Sequence, residues 1–157
     1  MPHSLACWMY ISRSLLNAET ALEEVQAIVD VAQRRNADMD VTGALIFSNG
    51  RFAQKLEGPP TGIDALRQSI CRDSRHTAIT TIEEGPAPER QFGGWSLAFK
   101  GSSQVISRSL ERSLDELDTG GRYGHSWLLK AMIDLTTVGM GNSTRAEKAT
   151  AASHLNI

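Results

Sequence analysis

Apolar and polar positions follow two rhythms over the first hundred residues. Residues 5–12 form an apolar run of strand length and composition. Leu22, Val25, Ile28, Val29 and Ala32 then recur at helical spacing. Thr20-Ala21-Leu22-Glu23 has the form of a capping box that opens this helix, which fades near Arg35 and Asn36. Residues 41–47 read as a second strand. Asn49-Gly50 suits the positive φ angles of a type I′ turn, and a third strand follows over 51–56. Strand alternation sends Phe52, Gln54 and Leu56 inward and Lys55 and Glu57 to water. Pro59-Pro60 ends that strand, and Thr61 is a candidate N-cap for a helix with the stripe Ile63, Leu66, Ile70. Residues 78–83 read as a fourth strand, Pro86 and Pro88 as a loop, and residues 95–99 as a fifth strand.

This order is β-α-β-β-α-β with an extra strand, an α+β ferredoxin-like arrangement with two helices on one face of a mainly antiparallel sheet. Beyond Lys100-Gly101 the rhythm is helical. Ile106, Leu110, Leu114 and Leu117 make one stripe, ended by Gly120-Gly121. Trp127, Leu128, Ala131, Met132 and Leu135 make another, ending near Gly139. A helical hairpin of this kind is expected to pack on the exposed sheet face or on a second subunit. The expected division is a domain over 1–101, a helical extension over 102–141 and a flexible tail over 142–157.

The chain has 157 residues, enough for one core and a short appendage. Its formal net charge of −2 supplies no global basic field, so neither nucleic acid nor an anionic membrane is an expected partner. Cys7 and Cys71 are expected to be reduced core or near-core thiols. There is no pattern of a signal peptide or transmembrane segment, which makes the cytoplasm the expected compartment. His3, His76, His125 and His154 lack metal-ligand spacing, and no metal site is expected. No glycine-rich phosphate loop and no Ser-His-Asp or Cys-His set is present. A hydrolase or a metalloenzyme is therefore not expected.

Gln54 draws attention because a primary amide between two apolar neighbours needs hydrogen-bond partners, and an unsatisfied group costs about 1–3 kcal/mol. First and third strands are central neighbours in this fold, which would set Tyr10 beside Gln54. Asn36 closes the first helix, and Arg72, Asp73, Arg75 and His76 end the second and begin the next loop. A flat ligand between the helices would meet Ile28 on one and Ile70 on the other. Taken singly, each has a plain structural reading. Tyr10 and Trp95 are core aromatics, Asn36 a helix-end residue, Arg72 and Arg75 solvated charges, and His76 a loop residue.

Together these segments resemble the BLUF family, blue-light sensors that bind flavin non-covalently. The matching segments are Tyr10-Ile11-Ser12-Arg13; Asn36 followed by Val41-Thr42-Gly43-Ala44-Leu45; Gly50-Arg51-Phe52-Ala53-Gln54-Lys55-Leu56-Glu57-Gly58; Arg72-Asp73-Ser74-Arg75-His76; and Phe92-Gly93-Gly94-Trp95-Ser96. The resemblance implies FAD, or FMN, as cofactor. It implies that Tyr10 donates an electron and a proton to the excited flavin, with Gln54 between Tyr10 and the flavin N5/O4 edge. Asn36 would bond the ring near O4 and N3, and Ile28 and Ile70 would sandwich it. Arg72, Asp73, Arg75 and His76 would border the pyrimidine and ribityl-phosphate sides. Trp95 matches a switch tryptophan, but Leu97 stands where the family usually carries methionine, which bears on signal transmission. The helical extension resembles that of short, stand-alone members. It is too short for a cyclase or phosphodiesterase domain, so the output would pass through an unidentified protein or a change of assembly, and a homo-oligomer is implied. The competing reading is a light-insensitive ferredoxin-like interaction protein, with or without flavin.

Overall fold

The computed structural model describes residues 4–101, 107–121 and 123–137. Five strands and four helices follow in the order β1 Leu5–Ser14, α1 Ala21–Asp38, β2 Thr42–Ser48, β3 Arg51–Gly58, α2 Pro60–Arg72, β4 His76–Ala87, β5 Ala98–Lys100, α3 Ser107–Asp118 and α4 Tyr123–Thr137. They build one sheet in the order β4-β1-β3-β2-β5. The first four strands pair antiparallel, and β5 pairs parallel to β2. This is the ferredoxin-like α+β fold, with β1 and β3 central. Asn49 and Gly50 both take positive φ, 49° and 72°, and fix the register of the β2–β3 hairpin.

Strand alternation assigns two cores. Trp8, Tyr10, Leu45, Phe47, Phe52 and Leu56 face α1 and α2, where Val25, Val29, Ile63, Leu66 and Ile70 meet them. Met9, Ile11, Ala44, Ile46 and Ala53 face the other way, against Leu114 and Leu117 of α3 and Leu128, Met132 and Leu135 of α4. The hairpin thus lies on the second face of its own sheet. Gly124 permits the α3–α4 crossing, because a Cβ there would collide with the Ser113 carbonyl and lie 2.9 Å from Leu117 Cγ. Ile106 and Gly139 lie outside the described residues, as does the side chain of Leu110.

That second layer overturns one expectation. Lys55 and Glu57 do not point to water but are 3% and 1% exposed beneath the hairpin and the segment before β5. Their charges are met there, as buried charges must be. Lys55 Nζ donates to Glu83 Oε2 at 3.0 Å and Gln91 Oε1 at 2.7 Å. Glu57 accepts from the Thr42 hydroxyl and from the backbone N–H groups of Gln91 and Phe92, at 2.7–2.8 Å. Glu83 also accepts from His125 Nε2 of α4 at 3.0 Å, and Arg51 Nη1 meets Asp115 of α3 at 2.5 Å. The hairpin is therefore fastened to the sheet by charge as well as by apolar packing.

Smaller differences have local causes. Thr20 makes no side-chain cap bond, and Ala21 rather than Leu22 enters the core. Thr61 lies inside α2, which opens instead with Pro59 as N-cap and Pro60 in its first turn. Cys71 is exposed, and only Cys7 is a core thiol. Trp127 is exposed on the outer side of α4. His76 opens β4, and Pro86 sits within that edge strand, where a missing N–H is tolerated. The expected fifth strand over 95–99 shortens to Ala98–Lys100, because Gly94 turns the chain at φ 87° while the Trp95 N–H bonds the Phe92 carbonyl. No helix among the described residues is long and apolar enough to cross a membrane.

Candidate functional site

A cleft of about 260 Å³ opens between α1 and α2, over the centre of the sheet. That is close to the lower end of small-molecule pockets, about 300–1,000 Å³. Its two walls are apolar, with Ala27, Ile28, Val31 and Ala32 on α1 and Ile70 on α2. Its floor is Tyr10, Leu45, Phe52, Gln54 and Leu97, and its rim carries Arg35, Ser69, Asp73, Arg75 and His76. Ile28 and Ile70 arrive from the two helix stripes, as the spacing predicts.

Tyr10 and Gln54 are direct partners in the β1–β3 ladder. The Tyr10 hydroxyl donates to Gln54 Oε1 at 2.6 Å, and both residues are at least 95% buried. Burial pushes the Tyr10 phenol well above its ordinary value, the Cys71 and Asp73 side chains add to the rise, and Arg35 opposes it. Tyr10 is therefore a phenol at neutral pH and can serve as donor. No described residue accepts from Gln54 Nε2, so the donor end of the amide is available to whatever lies in the cleft.

His76 uses both ring nitrogens within the protein. Nε2 lies 2.7 Å from the Ile70 carbonyl and must donate to it, so in the neutral ring Nδ1 accepts from the Ser12 hydroxyl at 2.7 Å. His76 thereby ties β1 to the end of α2. Asp73 and Arg75 close on one another, with Arg75 Nε and Nη2 donating to the carboxylate at 2.9 and 2.5 Å. The Arg75 hydrogen bond holds the Asp73 carboxyl below its ordinary range, against partial burial.

Three expected site residues do not line the cleft. Asn36 is buried, but its Nδ2 donates to the Ser96 carbonyl at 2.9 Å and ties α1 to the segment before β5. Arg72 is exposed and donates back to the Gln68 carbonyl of its own helix. Trp95 packs in the far core under the hairpin, while Leu97 reaches the cleft. A regular strand would place residues 95 and 97 on one face, but the chain is not in strand conformation over 95–97 and bends at Ser96.

Sequence reasoning missed Arg35. Its Nη1 reaches across to Ser69 of α2 at 3.3 Å, and its Nε is buried without a partner among the described residues. Its place seven residues after Ile28, on the same helical stripe, is the signal that could have found it. A flat, mainly apolar ring system with carbonyl oxygens and ring nitrogens at one edge fits this lining. Two apolar walls would take its faces, and the unpaired Arg35 Nε and Gln54 Nε2 are donors for its edge. The cleft therefore fits a flavin.

Comparison with known proteins agrees. The family described as BLUF, sensors of blue-light using FAD, matches residues 5–98. The blue light- and temperature-regulated antirepressor BluF of Escherichia coli K12 is 37% identical over 83 residues, 53% of this chain and 21% of that protein. A photoactivated adenylate cyclase subunit beta of Euglena gracilis is 41% identical over 75 residues, 47% of this chain and 9% of that protein. The chain thus spans about a fifth or less of the length of these relatives. Among solved structures, the dark state of the BLUF protein BlrB superposes with a TM-score of 0.71 at 26% identity, covering 88% of this chain and all of that one. With the family match extending over well over half its residues, on a matching fold, this chain belongs to the BLUF family.

Proposed function

We propose that this chain is a blue-light photoreceptor that holds FAD, or FMN, in the α1–α2 cleft and signals through protein contacts rather than catalysis. The observation that carries this reading is the buried Tyr10–Gln54 hydrogen bond on the cleft floor, whose amide keeps its donor end for the cleft. Ile28 and Ile70 would hold the ring faces, and Arg35 and Gln54 would meet its polar edge. Asp73, Arg75 and His76 border the mouth of the cleft, and Asn36 supports it through Ser96.

A bound flavin supplies blue-light absorption and, once excited, a one-electron acceptor. Tyr10 is the residue placed to give up an electron and the proton on its hydroxyl oxygen. Gln54 Oε1, which accepts that proton's hydrogen bond, is the first atom to feel the change. The amide has two ways to satisfy its surroundings, oxygen toward Tyr10 or nitrogen toward Tyr10, and exchanging them rewrites the hydrogen bonds at the cleft floor with little movement. Excluding bulk water from this pair keeps the two arrangements distinct. The exchange reaches the far face through β3, where Lys55 and Glu57 hold Glu83, Gln91 and Phe92. From there it would bias the packing of Trp95 and the α3–α4 hairpin, the surface offered to a partner or to a second copy of the chain. A free-energy difference of a few kcal/mol between the states suffices.

The reading is tested by purifying the chain, identifying any flavin released on denaturation, and titrating protein prepared without it with FAD and FMN. Stoichiometric uptake is expected. A chain that takes up neither flavin overturns the proposal.

A further inference from the structure

Trp8 and Arg67 have no part in the cleft, yet they sit directly behind Tyr10. Trp8 precedes Tyr10 by two positions on β1 and so shares its face. The two rings stack with centroids 4.5 Å apart and planes inclined by 27°. Trp8 is 1% exposed and does not line the cleft. Over the indole lies the Arg67 guanidinium, its central carbon 5.0 Å from the ring centroid.

We propose that Arg67 confines a one-electron oxidation to Tyr10 by making the stacked indole of Trp8 a poor electron donor. The proposal rests on the reading of Tyr10 as the residue oxidised in the light, with an excited flavin as oxidant. Tyrosine and tryptophan are the two side chains most readily oxidised by one electron, and van der Waals contact sets no distance barrier between them. A Tyr10 phenoxyl radical thus has an exit. Trp8 gives it one electron, the resulting phenolate takes back the proton that Tyr10 released on oxidation, and the positively charged radical resides on the indole. The radical would then stand where it touches neither Gln54 nor the cleft, and the switch would be lost.

Two features oppose that exit. A cation over an aromatic face is attracted to the neutral ring and repels the ring once it carries positive charge. Among the described residues, the indole N–H also meets no base that would relieve the charge. Its Nε1–H donates to the Thr81 hydroxyl at 3.0 Å, and Arg67 Nη2 reaches that same oxygen at 3.5 Å. Glu84, the Cα partner of Trp8 across the β1–β4 ladder, is held by Arg67 in an ion pair. Arg67 is therefore a positioning residue for the electron hole, acting through Trp8.

The test compares Arg67→Met, Arg67→Lys and Arg67→Met with Trp8→Phe, all in a Trp127→Phe background that removes the exposed indole. In flavin-free protein, pulse-generated azide radicals supply the oxidant, and transient absorption divides the product between tyrosyl and indolyl radicals. Arg67→Met should move that ratio toward indolyl by about two- to fivefold, the scale of a cation–π contact at a partly exposed site. Adding Trp8→Phe should reverse the move, and Arg67→Lys should largely prevent it. In flavin-loaded protein, Arg67→Met should lower the yield of the light-induced spectral shift, and the added Trp8→Phe should restore it. A merely structural Arg67 would show no such restoration. An unchanged radical ratio in Arg67→Met, or a loss that Trp8→Phe does not repair, overturns the proposal. Should the parent protein show no spectral shift, the photoreceptor reading fails by itself, and the azide experiment still decides the relation of Arg67 to Trp8.

Discussion

Gln54 and Lys55 are adjacent in the chain and serve opposite faces of the same sheet. Gln54 lies on the cleft floor and accepts from Tyr10, while Lys55 turns beneath the hairpin and bonds Glu83 and Gln91. One peptide unit of β3 thus joins the proposed switch to the groups that fasten α4, by way of His125 and Glu83.

Replacing Lys55 by Met keeps the side-chain volume but removes the charge from a buried network. Glu83 and Gln91 would each lose a partner, at a cost of about 1–3 kcal/mol. Urea unfolding should show this loss, and hydrogen exchange should speed up in α4 more than in α1. Equal protection of α4 in variant and parent would mean that Lys55 does not fasten the hairpin.

Acid should loosen the same fastening. Partial burial raises the Glu83 carboxyl, but the hydrogen bonds and charges of Lys55 and His125 outweigh it, and the net shift is downward from 4.5. A carboxyl held lower in the folded state contributes stability that is complete above the unfolded value and is lost as pH falls through the folded one. The stability gap between parent and Glu83→Gln should therefore be complete above pH 4.5 and shrink as pH falls below it. A gap that widens on acidification contradicts this.

The α3–α4 crossing depends on the absence of a side chain at position 124. Gly124→Val would drive its methyl groups into the Ser113 carbonyl and Leu117. The cost should be about 1–3 kcal/mol. Far-ultraviolet circular dichroism and thermal unfolding would show a loosened hairpin while the β1–β3 pairing survives. Parent-like stability would show that the two helices can separate freely at that point.

Arg35 offers a buried donor at the cleft rim. Arg35→Gln should weaken flavin binding by about tenfold to a hundredfold, the worth of one hydrogen bond to a charged group. Arg72→Gln, at an exposed residue bonded to its own helix, should leave binding nearly unchanged. Fluorescence titration with FAD would distinguish the two. An equal loss in both variants would argue for long-range charge and against a contact at Arg35.

The pairing of Tyr10 with Gln54 was legible in the sequence because alternation, the Asn49-Gly50 turn and the strand order each fix one part of it. The walls were legible because Ile28 and Ile70 sit on helical stripes. The burial of Lys55 and Glu57 was not, because alternation assigns a face but does not say what covers it, and the cover comes from Gln91, Phe92 and the α3–α4 hairpin, far along the chain. Trp95 and Leu97 misled for a local reason, a bend at Ser96 ahead of β5 that breaks the alternation joining them. Asn36 and His76 were expected at the site, but their polar atoms are engaged with Ser96, Ser12 and the Ile70 carbonyl, partners that only the folded chain brings near.

The most direct test of the central claim is the visible absorption spectrum of the flavin-loaded chain before and after blue light, taken for the parent, Tyr10→Phe and Gln54→Leu. The parent should show a small red shift that reverses in the dark, and both variants should keep their flavin and lose the shift. A parent spectrum that light leaves unchanged, or a reversible shift that persists in either variant, would contradict the account.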